Sequence, residues 1–292
     1  MTETNGHGVK TARTTLHVRD DGEGFPLVLL HGWPESGYCW EPVRPHLGGG
    51  FRLIRPDLRG LGDSERTEAV EDYRKSELAQ DVLALLDELG VERFGLVGHD
   101  WGGAVAQEIA VTAPERVARL AILNIHLIAN VTGYLKAEEV HSKNHHRAYW
   151  YQHFMQTPGL SEAMVPGNEE TWLRTFLRGR GREWEFPADA LAEYVRCYRI
   201  PGTPTSGANY YRAMRLDAQR WSGLRGHKFP MPSLILWGMH DPVLIPEFLT
   251  GHEACFEQVE LKQVEASHFL QEERPEEVGR ALREHFLPLL EG

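Results

Sequence analysis

The sequence predicts an α/β protein: one mostly parallel, doubly wound sheet, with a helical segment inserted after a central strand. Three observations predict it. Short apolar runs recur along the chain and alternate with amphipathic stretches long enough to be helices. Most of those runs lack polar alternation, as strands buried on both faces of a parallel sheet do. The alternation stops between about residues 125 and 226 and resumes at Pro232. The chain therefore divides into a core, residues 1–125 and 226–292, and a helical cap, residues 126–225.

Taken in order, residues 14–19 alternate apolar and polar side chains, the pattern of a half-buried strand, and Asp20-Asp21-Gly22-Glu23-Gly24 is turn material. Continuous apolar runs at 26–30, 51–54, 94–97, 120–123 and 234–237 read as buried strands. Between them, residues 76–89 place Leu78, Val82, Leu85 and Leu86 on one helical face, and Gly90 supplies the stop. Residues 104–111 and 276–290 are similar. The inserted segment is rich in His, Tyr, Trp and Glu and shows no clear buried strand. Its place is above the C-terminal edge of the sheet, where ligands bind in open α/β folds.

Composition narrows the function. A chain of 292 residues holds one large core, or a core carrying an insertion. The net charge of −11 and the absence of a Lys/Arg run argue against a nucleic-acid interface. No apolar run approaches the length of a membrane span. Met1 to Lys10 is polar and carries no apolar core of a signal peptide. Cys39, Cys197 and Cys255 are odd in number and widely spaced, which suits reduced thiols in a cytoplasmic protein rather than disulfides or a zinc site. The expected partner is a small molecule, with a homodimer left open.

The strongest local signal is Phe94-Gly95-Leu96-Val97-Gly98-His99-Asp100-Trp101-Gly102-Gly103. An apolar strand runs into G-x-D-x-G and a helix follows at once, the pattern of a nucleophile elbow with aspartate in place of serine. Gly98 and Gly102 let two backbones approach in the sharp turn, and the helix N-terminus favours the carboxylate. No serine occupies a G-x-S-x-G in this chain. A carboxylate nucleophile attacks a saturated carbon bearing a leaving group and forms an alkyl ester; epoxides and alkyl halides are its natural electrophiles. The plain alternative is that Asp100 only caps the helix.

Asp241 follows the buried run 234–237, and His268 lies in a loop before the last helix. In the order nucleophile, acid, base, His268 activates water and Asp241 orients its ring. His240 is the competing histidine, read as a loop residue. Asp57-Leu58-Arg59-Gly60-Leu61-Gly62-Asp63-Ser64 reads as a structural loop, since it lacks the lysine of a phosphate loop. Glu35 reads as a solvated charge. His141, His145, His146 and His153 have no HExxH or carboxylate partner, so no metal is expected and the four read as solvated side chains.

Together, HGWPE at 31–35, DLRGLGDS at 57–64, GHDWGG at 98–103, the acid of WGMHD and the base of ASHF resemble the α/β-hydrolase-fold epoxide hydrolases over about residues 16–290. Tyr151-Gln152-His153-Phe154-Met155-Gln156-Thr157-Pro158-Gly159 and Asn209-Tyr210-Tyr211-Arg212-Ala213-Met214 resemble the two cap segments of that family. The resemblance implies a catalytic set of Asp100, Asp241, His268, Tyr151 and Tyr211, with Tyr149 and Tyr210 as adjacent decoys. It implies an oxyanion hole from the backbone N–H groups of Trp33 and Trp101, with a cis bond before Pro34 fitting the turn. It implies substrate contacts from Trp33, Trp101, Trp150, Tyr151 and Tyr211, no cofactor, and conversion of an epoxide to a diol by way of an aspartyl ester. A haloalkane or haloacetate dehalogenase shares the Asp–His–Asp machinery and is the nearest rival; a ligand-binding protein without turnover is the other.

Overall fold

The computed structural model describes residues 6–177 and 185–291. Residues 1–5, 178–184 and 292 lie outside the described set, so the first half of the N-terminal stretch and a short part of the proposed cap are not considered further. Eight strands form one sheet: β1 His7–Lys10, β2 Thr15–Asp21, β3 Phe25–Leu30, β4 Phe51–Pro56, β5 Phe94–His99, β6 Val117–Leu123, β7 Ser233–Gly238 and β8 Val259–Val264. Their spatial order is β1-β2-β4-β3-β5-β6-β7-β8. β1 and β2 pair antiparallel, β2 runs antiparallel to β4, and all other pairs are parallel.

The continuous apolar runs became the central strands for the expected reason. Leu27, Val28, Leu29 and Leu30 of β3, and Leu96 and Val97 of β5, have no exposed surface. Removing each such side chain from water is worth roughly 1.5–3 kcal/mol, so both faces of the sheet must be covered. The helices that follow the strands in the core are α1 Arg44–Leu47, α2 Lys75–Glu88 and α3 Trp101–Thr112. The segment between β6 and β7 carries α4 Val131–Lys143, α5 Trp150–Gln156, α6 Leu160–Met164, α7 Glu169–Phe176, α8 Ala188–Tyr198, α9 Thr203–Arg212 and α10 Met214–Trp221. The chain closes with α11 Leu270–Glu273 and α12 Pro275–Phe286.

Two strands carried no apolar run. β1 (HGVK) is mostly exposed and β8 (VELKQV) is buried only at its last residue. Both are sheet edges, where one flank and much of the surface meet water, so hydrophobic patterning is weak. The single helix expected over 276–290 is two elements: α12 ends at Phe286 and a 3-10 turn covers Leu287–Leu290. Pro288 has no N–H to bond the carbonyl four residues back, so the α pattern stops there.

Among the buried contacts that fasten the inserted helices to the core, one joins α2 to α10. The Lys75 N–H, at the start of α2, donates to Asp217 Oδ1 of α10 at 2.9 Å, and Lys75 Nζ lies 3.0 Å from Asp217 Oδ2. A carboxylate from the insertion thus caps a core helix and neutralises its first side chain.

The loop after β4 is also built around a carboxylate. Asp57 Oδ1 accepts from the Gly37 N–H at 2.7 Å and from Arg19 at 3.2 Å. Its Oδ2 accepts from His17 at 2.9 Å and from the Asp63 N–H at 2.9 Å. Burial alone would raise the Asp57 carboxyl, but the His17 hydrogen bond and the Arg19 charge hold it far below the usual carboxylate range. An Asp57→Ala variant is expected to lose about 3–5 kcal/mol of stability, since it strips four donors of their acceptor and Arg19 of its nearest carboxylate. Urea denaturation measures this, and a loss under about 1 kcal/mol would contradict the structural role.

Candidate active site

Each chemically interesting residue leaves the C-terminal end of a parallel strand. Trp33 follows β3, Asp100 follows β5, Asp241 follows β7 and His268 follows β8. Parallel strands put all these ends on one edge of the sheet, so residues far apart in sequence meet there.

Asp100 sits at φ 50° and ψ −129°, a backbone conformation that side chains rarely adopt and that costs of order 1–3 kcal/mol. The surrounding glycines allow it. A Cβ on Gly98 would lie 2.4 Å from the Gly102 carbonyl oxygen, and one on Gly102 would lie 2.3 Å from that of His31. The turn therefore needs glycine at both places. The side chain does not cap α3. Instead Oδ1 accepts the Trp33 backbone N–H at 2.9 Å, and the Trp101 backbone N–H bonds the same carboxyl. The two N–H groups read from the resemblance as an oxyanion hole thus converge on Asp100, and the Trp33–Pro34 bond is cis.

His268 completes the triad geometry. Its Nδ1–H donates to Asp241 Oδ2 at 2.6 Å, and its Nε2 lies 3.5 Å from Asp100 Oδ2. Asp241 is fixed by Asn124 Nδ2 at 2.9 Å and by the N–H groups of Val243 and Leu244 at 2.8 and 2.9 Å. Burial opposes protonation of His268, but Asp241 and Asp100 outweigh it and hold the imidazole well above its ordinary range. Burial likewise opposes ionisation of Asp100, and His268 overcomes it, so the carboxyl stays below its usual range.

Tyr151 of α5 and Tyr211 of α9 face this group across a cavity of about 140 Å³. Their ring centroids are 5.6 Å apart, and Tyr211 packs edge-on to Trp33 and Trp101 at 5.3 and 5.6 Å. Burial, and then the Asp100 charge among other neighbours, pushes both phenols far above their ordinary range, so both keep their protons. The cavity wall includes Trp33, Asp100, Trp101, Tyr151, Tyr211, Asp241 and His268, and among the described residues no lysine or arginine.

Trp150 does not belong to that wall. It stacks on Phe176 at 5.7 Å and meets Trp172 edge-on at 6.2 Å, leaving 39% of its surface exposed. Adjacent helical positions point about 100° apart, so Tyr151 takes the inward place and Trp150 packs behind it. Of the decoys, Tyr210 is buried with its hydroxyl donating to the Arg59 carbonyl at 2.8 Å, outside the cavity. Tyr149 lines the cavity and donates to Glu138 at 2.8 Å. His240 faces Glu265 at an exposed site. His141 is not solvated: it is buried, with Nε2 at 2.8 Å from the Val243 carbonyl.

Sequence reasoning missed a layer behind the triad. Glu35 is a buried side chain, not a solvated charge, with only 1% of its surface exposed. Its Oε2 lies 3.2 Å from His99 Nδ1, and Gln271 reaches both of its oxygens at 3.1 Å. Burial pushes Glu35 well above the carboxylate range and His99 down to about 3. The two shifts agree: a neutral carboxyl donates to a neutral imidazole, and His99 Nε2–H then holds the His268 carbonyl at 2.9 Å. The second missed group is Lys75, whose Nζ lies 3.9 Å from the centroid of the Trp101 ring, a cation–π contact beneath the wall of the cavity. The polar residue following HGWP was the only available signal for the first; nothing local signalled the second.

Comparison with known proteins places these features in context. The sequence model of the α/β hydrolase fold matches residues 26–275. The chain is 33% identical to a soluble epoxide hydrolase of Corynebacterium sp. strain C12 over 99% of both chains. It is also 30% identical to a fluoroacetate dehalogenase of a Burkholderia species, covering 94% of this chain and 91% of the relative. Among solved structures, epoxide hydrolase A from Mycobacterium thermoresistibile matches with a TM-score of 0.82 at 28% identity, over 97% of this chain and 98% of that one.

Proposed function

The chain belongs to the α/β hydrolase fold family, and from that premise we propose that it is an epoxide hydrolase working through an ester on Asp100. The observation that carries this reading is the pair of protonated phenols, Tyr151 and Tyr211, standing in one cavity with a carboxylate whose Oδ1 is already tied to backbone N–H. Asp100 Oδ2 is the oxygen left to attack. Its lone pair forms a bond to one epoxide carbon while the ring C–O bond breaks toward the oxygen, which takes a proton from one of the two phenols. The product is a hydroxyalkyl ester of Asp100 with its carbonyl oxygen beside the N–H groups of Trp33 and Trp101. The phenolate takes the proton that His268 held in the resting enzyme; the freed Nε2 then removes a proton from water, the hydroxide adds to the ester carbonyl, and the two N–H groups stabilise the oxyanion. Collapse breaks the ester C–O bond, the leaving alkoxide takes the remaining proton of the added water, and the vicinal diol departs with His268 protonated and Asp100 ionised as at rest.

Esterification changes His268 in the required direction. In the resting enzyme two carboxylates raise it; the ester removes the Asp100 charge, so the ring loses part of its reason to stay protonated. The pH dependence follows. Ester formation needs ionised Asp100, which is lowered, and protonated phenols, which are raised, so its rate is expected to be flat across neutral pH. Ester hydrolysis needs neutral His268, so it is expected to fall by about tenfold per pH unit on the acid side of the His268 pKa. Rapid-quench measurement of ester and diol checks both; an acid limb in ester formation, or none in hydrolysis, contradicts the assignment.

A dehalogenase is the second reading. The buried Trp101 indole N–H faces the Tyr211 hydroxyl and otherwise has no acceptor, so it is placed to meet a departing halide. Against a haloacetate substrate stands the cavity wall, which among the described residues offers no lysine or arginine to a carboxylate. Turnover of styrene oxide and similar epoxides to diols, assayed beside halide release from haloalkanes and fluoroacetate, decides. Diol formation without halide is expected; halide without diol reverses the reading.

A further inference from the structure

The cavity has a charged group that the proposed chemistry does not use. Glu138 of α4 lines it together with Tyr134, Tyr149, Tyr151 and Phe248. Its side chain is 28% exposed, against 12% for Asp100 and 18% for His268, so it stands toward the solvent end. Glu138 Oε1 accepts from the Tyr149 hydroxyl at 2.8 Å, and Oε2 lies 3.9 Å from His146 Nδ1, too far for a strong hydrogen bond. Among the described residues, no lysine or arginine pairs with it; the neighbouring Lys136 and Lys143 both engage Glu139, at 2.9 and 2.7 Å. A carboxylate toward a cavity mouth, with no lysine or arginine partner among the described residues and aromatic side chains beside it, is a receptor for positive charge.

We propose that the outer end of the cavity receives an ammonium group, so that the preferred substrates are epoxides carrying a protonated amine or a quaternary ammonium. The carboxylate supplies charge, the faces of Tyr134, Tyr149 and Phe248 tolerate a weakly hydrated cation, and the Tyr149 oxygen accepts from an N–H where one is present. Asp100, Asp241 and Glu138, set against the one imidazolium of His268, leave the described lining net negative, which draws cations in and turns carboxylates away. The substrate class rests on the epoxide hydrolase reading for its reactive end; recognition of the cation does not.

Two measurements separate the two claims. In the first, epoxides ending in trimethylammonium are compared with isosteres ending in tert-butyl, over linkers of one to four methylenes. The kcat/KM ratio of charged to neutral is expected to exceed one at the best linker, and to drop by about ten- to a hundredfold in Glu138→Gln, the loss of a charge-assisted contact. A ratio that does not change overturns the proposal. In the second, binding of hexyltrimethylammonium, which carries no epoxide, is followed by tryptophan fluorescence. Its Kd is expected to rise by a similar factor in Glu138→Gln, while hexanoate binds more weakly than the cation to the wild-type protein. If no epoxide is turned over yet the cation binds through Glu138, the catalytic reading fails and the cation site stands. If diols form but Glu138→Gln leaves both the ratio and the Kd unchanged, the cation site fails alone. The thermal midpoint of Glu138→Gln establishes that the variant is folded.

Discussion

A His268→Gln variant mixed with an epoxide is expected to gain the mass of the substrate on Asp100 and to release almost no diol. The reason is the division of labour in the site. His268 Nε2 is 3.5 Å from Asp100 Oδ2 and takes no part in the first bond; Asp100 attacks with Oδ2, while Oδ1 is held by the Trp33 N–H. Without an imidazole, water at the ester has no base, and general-base loss is worth about 10²–10⁴ in rate. Glutamine keeps the size and a hydrogen-bonding amide, which spares the packing around Asp241. The adduct should map by peptide mass spectrometry to the segment containing Asp100. Steady turnover by this variant, or an adduct elsewhere, would remove the covalent mechanism. The companion change Asp100→Asn should form no adduct at all.

The second large effect is expected from the phenols. Tyr151→Phe and Tyr211→Phe each leave one hydroxyl to donate to the opening oxygen, so each single change is expected to slow ester formation by only about tenfold, well short of losing the general acid. The double variant leaves none. The leaving alkoxide then loses both phenols that face Asp100, and ester formation is expected to fall by about 10³–10⁴. The excess of the double effect over the product of the singles is the signature, because two groups that substitute for each other are not additive. Single-turnover kinetics of ester formation measures it, with hydrolysis of a preformed ester as the internal control. A double variant no slower than the slower single would assign protonation to another group and favour the halide reading, in which the Trp101 indole N–H receives the leaving group.

How much of this was legible in the sequence depends on whether the signal was local. The central strands were readable because burial on both faces demands continuous apolar residues, as at 27–30. The elbow was readable because its steric demand fixes glycine at 98 and 102. The edge strands β1 and β8 were not, since water on their surfaces frees the sequence from any pattern. Asp241 and His268 could be picked out by their position after strands, and Tyr151 and Tyr211 through family resemblance.

The chain's sequence by itself determined the central strands, the helical interruption and the elbow that carries Asp100, because each rests on interactions among residues close along the chain. Only the tertiary structure decided which tyrosine lines the cavity, that Glu35 and His99 form a buried neutral pair behind His268, and that Asp217 both caps α2 and holds Lys75 under Trp101. It alone showed Glu138 toward the cavity mouth with no lysine or arginine partner among the described residues. The physical reason is the same throughout. Burial and charge pairing depend on what the fold brings within a few ångströms, and for residues 35 and 99, or 75 and 217, that proximity leaves no trace in local pattern.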